Sequence, residues 1–134
     1  MNTVLFACVH NAGRSQMAAA LFNRLADPAE ARALSAGTQP GPRVHPEVLA
    51  VMKEIGVDLS DAQPRVLTRE LASTATLLVT MGCGEACPVV PGVPIEDWPL
   101  PDPKGQPIDR VREIRAAIEA RVHQLIASRG WSRR

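Results

Sequence analysis

The chain has 134 residues, the size of one ordinary domain, and 15 Lys and Arg against 14 Asp and Glu give a formal net charge of +1. This balance disfavours binding to nucleic acid or acidic membranes through bulk charge, and no apolar run is long enough for a transmembrane segment or signal peptide. Only 3% of the residues are aromatic and none is Tyr, which disfavours platforms of exposed rings for bases or sugars. We expect a single cytoplasmic domain spanning residues 1–134.

Apolar runs and turn residues alternate along the chain in the order typical of βα units. Short apolar runs predict strands at residues 3–7, 33–36, 76–81 and 94–97. Apolar residues spaced three or four apart, with good helix formers, predict helices at residues 15–26, 45–55, 68–72 and 108–125. Strands separated by helices indicate the α/β class, with a parallel sheet and helices on both faces.

The strongest chemical signal follows the first predicted strand, in the segment Cys8-Val9-His10-Asn11-Ala12-Gly13-Arg14-Ser15. A loop that runs from the end of a strand into a helix points backbone N–H groups inward, and the helix dipole adds to their field. Such a loop binds a tetrahedral oxyanion, and Arg14 can hold two of its oxygens. Gly13 is expected to adopt a φ that other residues resist and to allow close backbone approach.

The same loop also supplies a nucleophile. Its field favours the thiolate form of Cys8, and Ser15 can donate a hydrogen bond to that thiolate. Asn11 tolerates left-handed conformations and can brace the loop, whereas His10 is expected to face solvent. The alternative is a buried apolar Cys followed by a surface Arg. The strand before the segment and the helix after it favour the anion-binding interpretation.

Three cysteines cannot all pair in disulfides, and two of them lie close together in Gly82-Cys83-Gly84-Glu85-Ala86-Cys87. This segment follows a predicted strand, so it is expected at the same sheet edge as Cys8. On one helical turn, Cys83 and Cys87 would share a face, and the glycines would let the segment move. A zinc site built from all three cysteines, or a pair of buried thiols, remains an alternative.

A third element is Asp102, in Leu100-Pro101-Asp102-Pro103-Lys104. A carboxylic acid held over an anion site could protonate a leaving oxygen. Alone, an Asp before Pro and Gly is an ordinary turn former. Together with the Cys8 loop, we interpret Asp102 as a general acid. No metal site is predicted.

Five segments, in this order, resemble one known family over nearly the whole chain: CVHNAGRSQMA, LSAG, HPEVLAVMKEIGVDLS, TMGCGEACP and DWPLPDPKG. That family comprises the thioredoxin-coupled arsenate reductases with the low-molecular-weight protein tyrosine phosphatase fold. The resemblance implies a four-stranded parallel sheet flanked by helices. It also implies that the protein reduces arsenate to arsenite in arsenic detoxification, with no cofactor.

The resemblance further implies a role for each cysteine. Cys8 would attack arsenate bound in the loop Cys8–Ser15, where phosphate or sulfate can also bind, while Arg14 holds the oxyanion and Asp102 helps to expel water. Cys83 would then attack the sulfur of Cys8, releasing arsenite and leaving a Cys8–Cys83 disulfide. Cys87 would attack Cys83, and thioredoxin would reduce the resulting Cys83–Cys87 disulfide. One dithiol becoming a disulfide supplies the two electrons that arsenate needs.

Several features depart from the family pattern and keep alternatives open. The gap between Cys83 and Cys87 is short, and Ala19 stands where some relatives place a potassium-binding Glu, so no potassium requirement is predicted. Mycothiol or glutaredoxin could replace thioredoxin. A phosphotyrosine phosphatase is the first alternative, although Pro-Lys-Gly follows Asp102 where such phosphatases carry aromatic residues. A non-enzymatic metalloid-binding protein is the second, and a monomer is expected.

Overall fold

The computed structural model describes residues 1–82 and 87–133. Its strands and helices in chain order are β1 (Asn2–Cys8), α1 (Arg14–Leu25), β2 (Ala31–Gly37), α2 (Pro46–Glu54), α3 (Arg69–Ser73), β3 (Leu77–Thr80), β4 (Ile95–Asp97) and α4 (Ile108–Arg129). The four strands form one parallel sheet in the order β2-β1-β3-β4. The predicted fold class is therefore confirmed, and each predicted strand and helix is present, with ends shifted by a few residues.

The register of the sheet brings the chemically important segments to one edge. Cys8 pairs with Gly37 across β1 and β2, Ala7 pairs with Thr80 across β1 and β3, and Thr80 pairs with Asp97 across β3 and β4. In a parallel sheet all strands end on the same side. The loops after β1, β3 and β4 consequently leave the sheet next to one another.

Side chains of β1 alternate between two apolar layers. Val4, Phe6 and Cys8 face the larger layer, which contains apolar residues of α1, α2 and α4. Leu5 and Ala7 face a smaller layer that contains Ala72 of α3 together with residues of the following loops. Helices therefore cover both faces, as predicted, but three of them lie on one face and only the short α3 on the other. Among the described residues, no helix is long and apolar enough to cross a membrane.

A cluster of charged side chains links α2 to α4 on the larger layer. Arg112 Nη2 lies 2.6 Å from Glu54 Oε2, and Arg115 Nη1 lies 2.8 Å from Glu54 Oε1. The hydrogen bond from Arg112, followed by that from Arg115, lowers the pKa of Glu54 from 4.5 to about 2. The carboxylate is at the surface, so its contribution to stability is modest.

Replacing Glu54 by Gln is expected to lower Tm at neutral pH by about one to three degrees. A carboxyl with a lowered pKa stabilises the fold above its unfolded pKa, and this stabilisation disappears as the pH falls through the folded pKa. The difference between wild type and variant should therefore shrink as the pH falls from 4.5 to about 2. Thermal melts across this range test it, with Glu30→Gln as control, since the described part of the chain offers Glu30 no ion pair. Equal Tm values at neutral pH would contradict this role for Glu54.

Candidate active site

The candidate site is centred on Cys8, the last residue of β1, which is a free thiol and only 2% exposed. Its Sγ lies 2.8 Å from the Oγ of Ser15 in the first turn of α1, and Ser15 is completely buried. Continuous apolar sequence makes β1 a central strand, and the loop after it returns directly into α1. This short return places a hydroxyl of the helix against the sulfur at the strand end.

The direction of the hydrogen bond between Ser15 and Cys8 follows from their neighbour Asn11. Asn11 Nδ2 donates to Ser15 Oγ over 2.8 Å, while Asn11 Oδ1 accepts from the backbone N–H of Arg65 and from Gln16 Nε2. These donors fix which side of the amide is the carbonyl. Since the Ser15 oxygen accepts from Asn11, its own hydrogen is available to the Cys8 sulfur. The hydrogen bond therefore runs from the Ser15 hydroxyl to the Cys8 sulfur.

The backbone carbonyls of the loop all point away from its centre. The carbonyls of Cys8, Val9 and His10 accept from the backbone N–H groups of Thr38, Gln39 and Gly41. The carbonyls of Asn11 and Ala12 accept from Gln16 Nε2 and from the backbone N–H of His45. In a trans peptide, the C=O of one residue and the N–H of the next point in opposite directions. The N–H groups of residues 9–13 therefore face the inside of the loop, where an anion would bind.

One bend of the loop lies at Asn11, which has a φ of 50° and is thus in the left-handed region that Asn tolerates. Gly13 has a φ of −142°, so the expectation that Gly13 adopts a φ that other residues resist is wrong. Close approach is what requires a glycine there. A Cβ on Gly13 would lie 2.7 Å from Pro103 Cγ and 3.4 Å from His45 Cδ2.

The side chain of Arg14 extends from the start of α1 toward the loop after β4. Its Nη1 donates to the backbone carbonyl of Leu100 over 3.0 Å, and its Nη2 lies 3.9 Å from Asp102 Oδ2. The other oxygen of Asp102 accepts from the backbone N–H of Lys104 over 3.0 Å. Asp102 therefore forms a turn with one oxygen and faces Arg14 with the other. Its side chain is 47% exposed.

Two histidines lie beside the loop. His45 is at the N-terminus of α2, where its side chain makes no capping hydrogen bond and its ring packs toward Gly13. Burial lowers the pKa of His45 below its ordinary value. His10 Nδ1 lies 3.1 Å from the carbonyl oxygen of Gln39. The sequence alone predicts no catalytic role for either histidine.

The structure places Cys87 on the opposite face of the sheet from Cys8. Cys87 is 7% exposed and packs with Leu5 and Ala7, whose side chains point away from the face that Cys8 occupies. Cys83 and the predicted shared helical face of Cys83 and Cys87 lie outside the described residues. Within residues 1–82 and 87–133, no group of three His, Cys, Asp or Glu side chains could hold a metal ion.

Sequence reasoning missed three contributors to the site. Gln16 bonds Asn11 twice, the segment 38–41 binds the loop carbonyls, and Gly82 lies against Arg14. Gln16 stands one residue after the anion-binding segment, and the Pro- and Gly-rich composition of residues 40–42 indicated only a turn. The contacts of segment 38–41 and of Gly82 join residues that the sheet brings together, so local patterns carry no signal for them. Gln16 and Asn11 are five positions apart, and this short spacing is the signal that could have found their contact.

The role of Ser15 is tested by the reactivity of the Cys8 sulfur. In a Cys83→Ser/Cys87→Ser background, Ser15→Ala is expected to slow alkylation of Cys8 by iodoacetate about tenfold, because the hydrogen bond that Ser15 donates to this sulfur is lost. Mass spectrometry of samples taken over time measures the alkylation rate. Ser128→Ala is the matched control, since Ser128 also makes a side-chain hydrogen bond but lies on α4. An unchanged alkylation rate in Ser15→Ala would contradict the assigned direction of the hydrogen bond.

Comparison with known protein families shows to which family this chain belongs. Residues 3–130 match the low molecular weight phosphotyrosine protein phosphatase family. The chain belongs to this family. The match includes the Cys8 loop, the segment that contains Cys83 and Cys87, and Asp102.

Similar proteins of this family include named arsenate reductases. The solved structure of a thioredoxin-dependent arsenate reductase of Corynebacterium glutamicum is 41% identical to this chain, with a TM-score of 0.83. The match covers 96% of this chain but only 61% of that longer protein. A glutaredoxin arsenate reductase of Synechocystis is 34% identical over 95% of this chain and 98% of its own length. An arsenate reductase solved in its phosphate-binding state is 32% identical over 96% of this chain and 98% of its own, with a TM-score of 0.81.

Proposed function

We propose that this protein reduces arsenate to arsenite, with Cys8 as the nucleophile. The observation that carries the proposal is the loop of residues 8–15, whose carbonyls point outward around a buried thiol that Ser15 can hydrogen-bond. Arsenate and phosphate share shape and charge, and a structural neighbour was solved in a phosphate-binding state. Relatives that are named arsenate reductases favour this reaction over phosphate ester hydrolysis, which the same loop could support.

In the first step, the Cys8 thiolate attacks the arsenic of bound arsenate. The N–H groups of residues 9–13 and the guanidinium of Arg14 stabilise the oxyanion. A sulfur–arsenic bond forms and an arsenic–oxygen bond breaks. Asp102, on the Arg14 side of the loop, supplies the proton with which the leaving oxygen departs as water.

In the second step, the Cys83 thiolate attacks the sulfur of Cys8. A disulfide forms, and the electron pair of the breaking sulfur–arsenic bond reduces arsenic(V) to arsenic(III), which leaves as arsenite. Cys87 then attacks Cys83 and frees the Cys8 thiolate. Because Cys8 and Cys87 pack on opposite faces of the sheet, Cys83 is the carrier between them in this proposal.

An external dithiol completes the cycle by reducing the Cys83–Cys87 disulfide. Thioredoxin is our first choice, since the neighbour from Corynebacterium glutamicum is named thioredoxin-dependent. The Synechocystis relative is named for glutaredoxin, so the test below compares glutaredoxin with thioredoxin as the electron donor. Cys87 is buried, and its segment must therefore open before a protein dithiol can attack this sulfur. We place the reaction in the reducing cytoplasm, with the protein acting as a monomer.

Phosphatase activity is the second candidate, favoured by the family match and by a trough next to Arg14. This trough, of about 510 Å³, is lined by Gly82, Asp97, Pro99, Leu100 and Pro101. It could hold an aryl group against proline and leucine, yet none of these lining residues is aromatic. We therefore expect at most weak hydrolysis of a small aryl phosphate.

The two candidates are separated by one set of assays. Arsenate-dependent oxidation of NADPH is measured with three donor systems: thioredoxin and its reductase, glutaredoxin with glutathione and glutathione reductase, and mycothiol with its disulfide reductase. Hydrolysis of p-nitrophenyl phosphate is measured on the same preparation. We expect arsenate reduction with at least one donor, thioredoxin being the fastest. Efficient phosphate ester hydrolysis with no arsenate reduction by any donor would overturn the proposal.

A further inference from the structure

We propose that Gly82 is a positioning residue that sets the orientation of the Arg14 guanidinium for anion binding. This inference rests on the proposed function, since it concerns the same oxyanion. Gly82 follows Met81, whose N–H donates to the carbonyl of Ala7 over 2.7 Å. Gly82 is thereby held next to the strand end from which Cys8 emerges.

The backbone of Gly82 lies directly against the guanidinium. A Cβ on Gly82 would overlap Arg14 Nη1 and would lie 3.2 Å from Cζ and 3.3 Å from Nη2. A residue with any side chain at position 82 would have to push the guanidinium aside. Arg14 is only 8% exposed, so displacing its guanidinium takes it away from the contacts that now bury it.

Arg14 is held on its other side by the loop after β4. Its Nη1 donates to the carbonyl of Leu100, and the loops after β3 and β4 are fixed to each other where they leave the sheet. Thr80 donates its hydroxyl hydrogen to Asp97 over 2.8 Å, and the N–H of Trp98 donates to the carbonyl of Thr80 over 2.8 Å. Arg14 therefore lies between two segments whose separation is set by the sheet.

Two separate features of the structure require a glycine at position 82: its backbone conformation and its contact with the Arg14 guanidinium. The backbone φ of Gly82 is 100°, which by itself favours glycine, as it would at any turn with such a φ. The contact with Arg14 is a second, independent requirement. Because the end of an Arg side chain is flexible, a larger residue should leave the fold in place and move the guanidinium. Two-point binding of an oxyanion depends on the orientation of that group.

The test compares Gly82→Ala with Gly92→Ala. Gly92 has a φ of 85° and nothing within 4 Å of the position that a methyl group would occupy, so its replacement carries the backbone strain without a collision. Binding of inorganic phosphate is measured by titration calorimetry, and Tm is recorded for each variant. We expect the Kd of Gly82→Ala to rise about tenfold or more, and that of Gly92→Ala to stay within about twofold of wild type. KM for arsenate should rise with Kd.

A second comparison uses the Arg14→Lys background, in which the groups that collide with a methyl at position 82 are missing. There, adding Gly82→Ala should change phosphate Kd by no more than about twofold, because the two substitutions act through the same contact. Equal phosphate binding by wild type and Gly82→Ala would overturn the inference, as would a full additional loss in the Arg14→Lys background. If the wild-type protein binds phosphate but reduces no arsenate, the proposed function is overturned. The role of Gly82 in anion binding is then still decided by the phosphate Kd values alone.

Discussion

Replacement of Cys8 by Ser is expected to lower arsenate reduction by at least about 10³-fold, to the background rate. Serine fills nearly the same volume, but its hydroxyl is not ionised at neutral pH and cannot form a disulfide. In the proposed reaction, the step that releases arsenite needs a sulfur–sulfur bond at this position. The measurement is arsenate-dependent NADPH oxidation with the best donor.

The control for this variant is the binding of phosphate. The N–H groups of residues 9–13 and Arg14 are unchanged by Cys8→Ser, so phosphate affinity should stay within about tenfold of wild type. Retained binding with lost turnover assigns the effect to chemistry rather than to folding. Substantial arsenate reduction by Cys8→Ser would exclude Cys8 as the nucleophile.

Replacement of Cys87 by Ser is expected to stop the reaction after one cycle with thioredoxin. In the proposed relay, this variant still forms a Cys8–Cys83 disulfide and releases one equivalent of arsenite. It cannot move the disulfide away from Cys8, which is 2% exposed at the base of the loop. A protein dithiol cannot reach the buried Cys8 sulfur, and in the proposed relay only Cys87 attacks the Cys83 sulfur, so turnover should end there. Arsenite released per protein, followed over time, measures this effect.

Cys83→Ser is the matched control for Cys87→Ser. It should release no arsenite, because no thiol then attacks the Cys8 sulfur. Continued turnover of Cys87→Ser with thioredoxin would contradict the three-cysteine relay. Continued turnover of this variant with mycothiol alone would point to a small thiol as the physiological donor, since a small molecule enters where a protein cannot.

Much of the fold follows from local sequence patterns. The apolar run after residue 2 predicts a buried strand, and the spacing of apolar residues in α4 predicts a long amphipathic helix; both are present. The loop between β1 and α1 was recognisable because a strand, a glycine and a helix start follow in sequence. These signals are short-range, so one sequence suffices to show them.

The contacts that orient the site could not be predicted in the same way. Arg14 and Leu100 are 86 positions apart, and Asn11 and Arg65 are 54 apart. Only the strand order and register bring such residues together. Gly13 shows the same limit. The sequence predicts a glycine there for its φ, whereas in the structure the close approach of Pro103 requires it.

The central claim is that this chain itself supplies two electrons to arsenate through its cysteines. The most direct measurement incubates fully reduced protein with excess arsenate and no external reductant, then counts arsenite and remaining thiols. The proposal predicts about one arsenite per protein and the loss of two thiols, with one disulfide formed. No arsenite, or arsenite without loss of thiols, would contradict it.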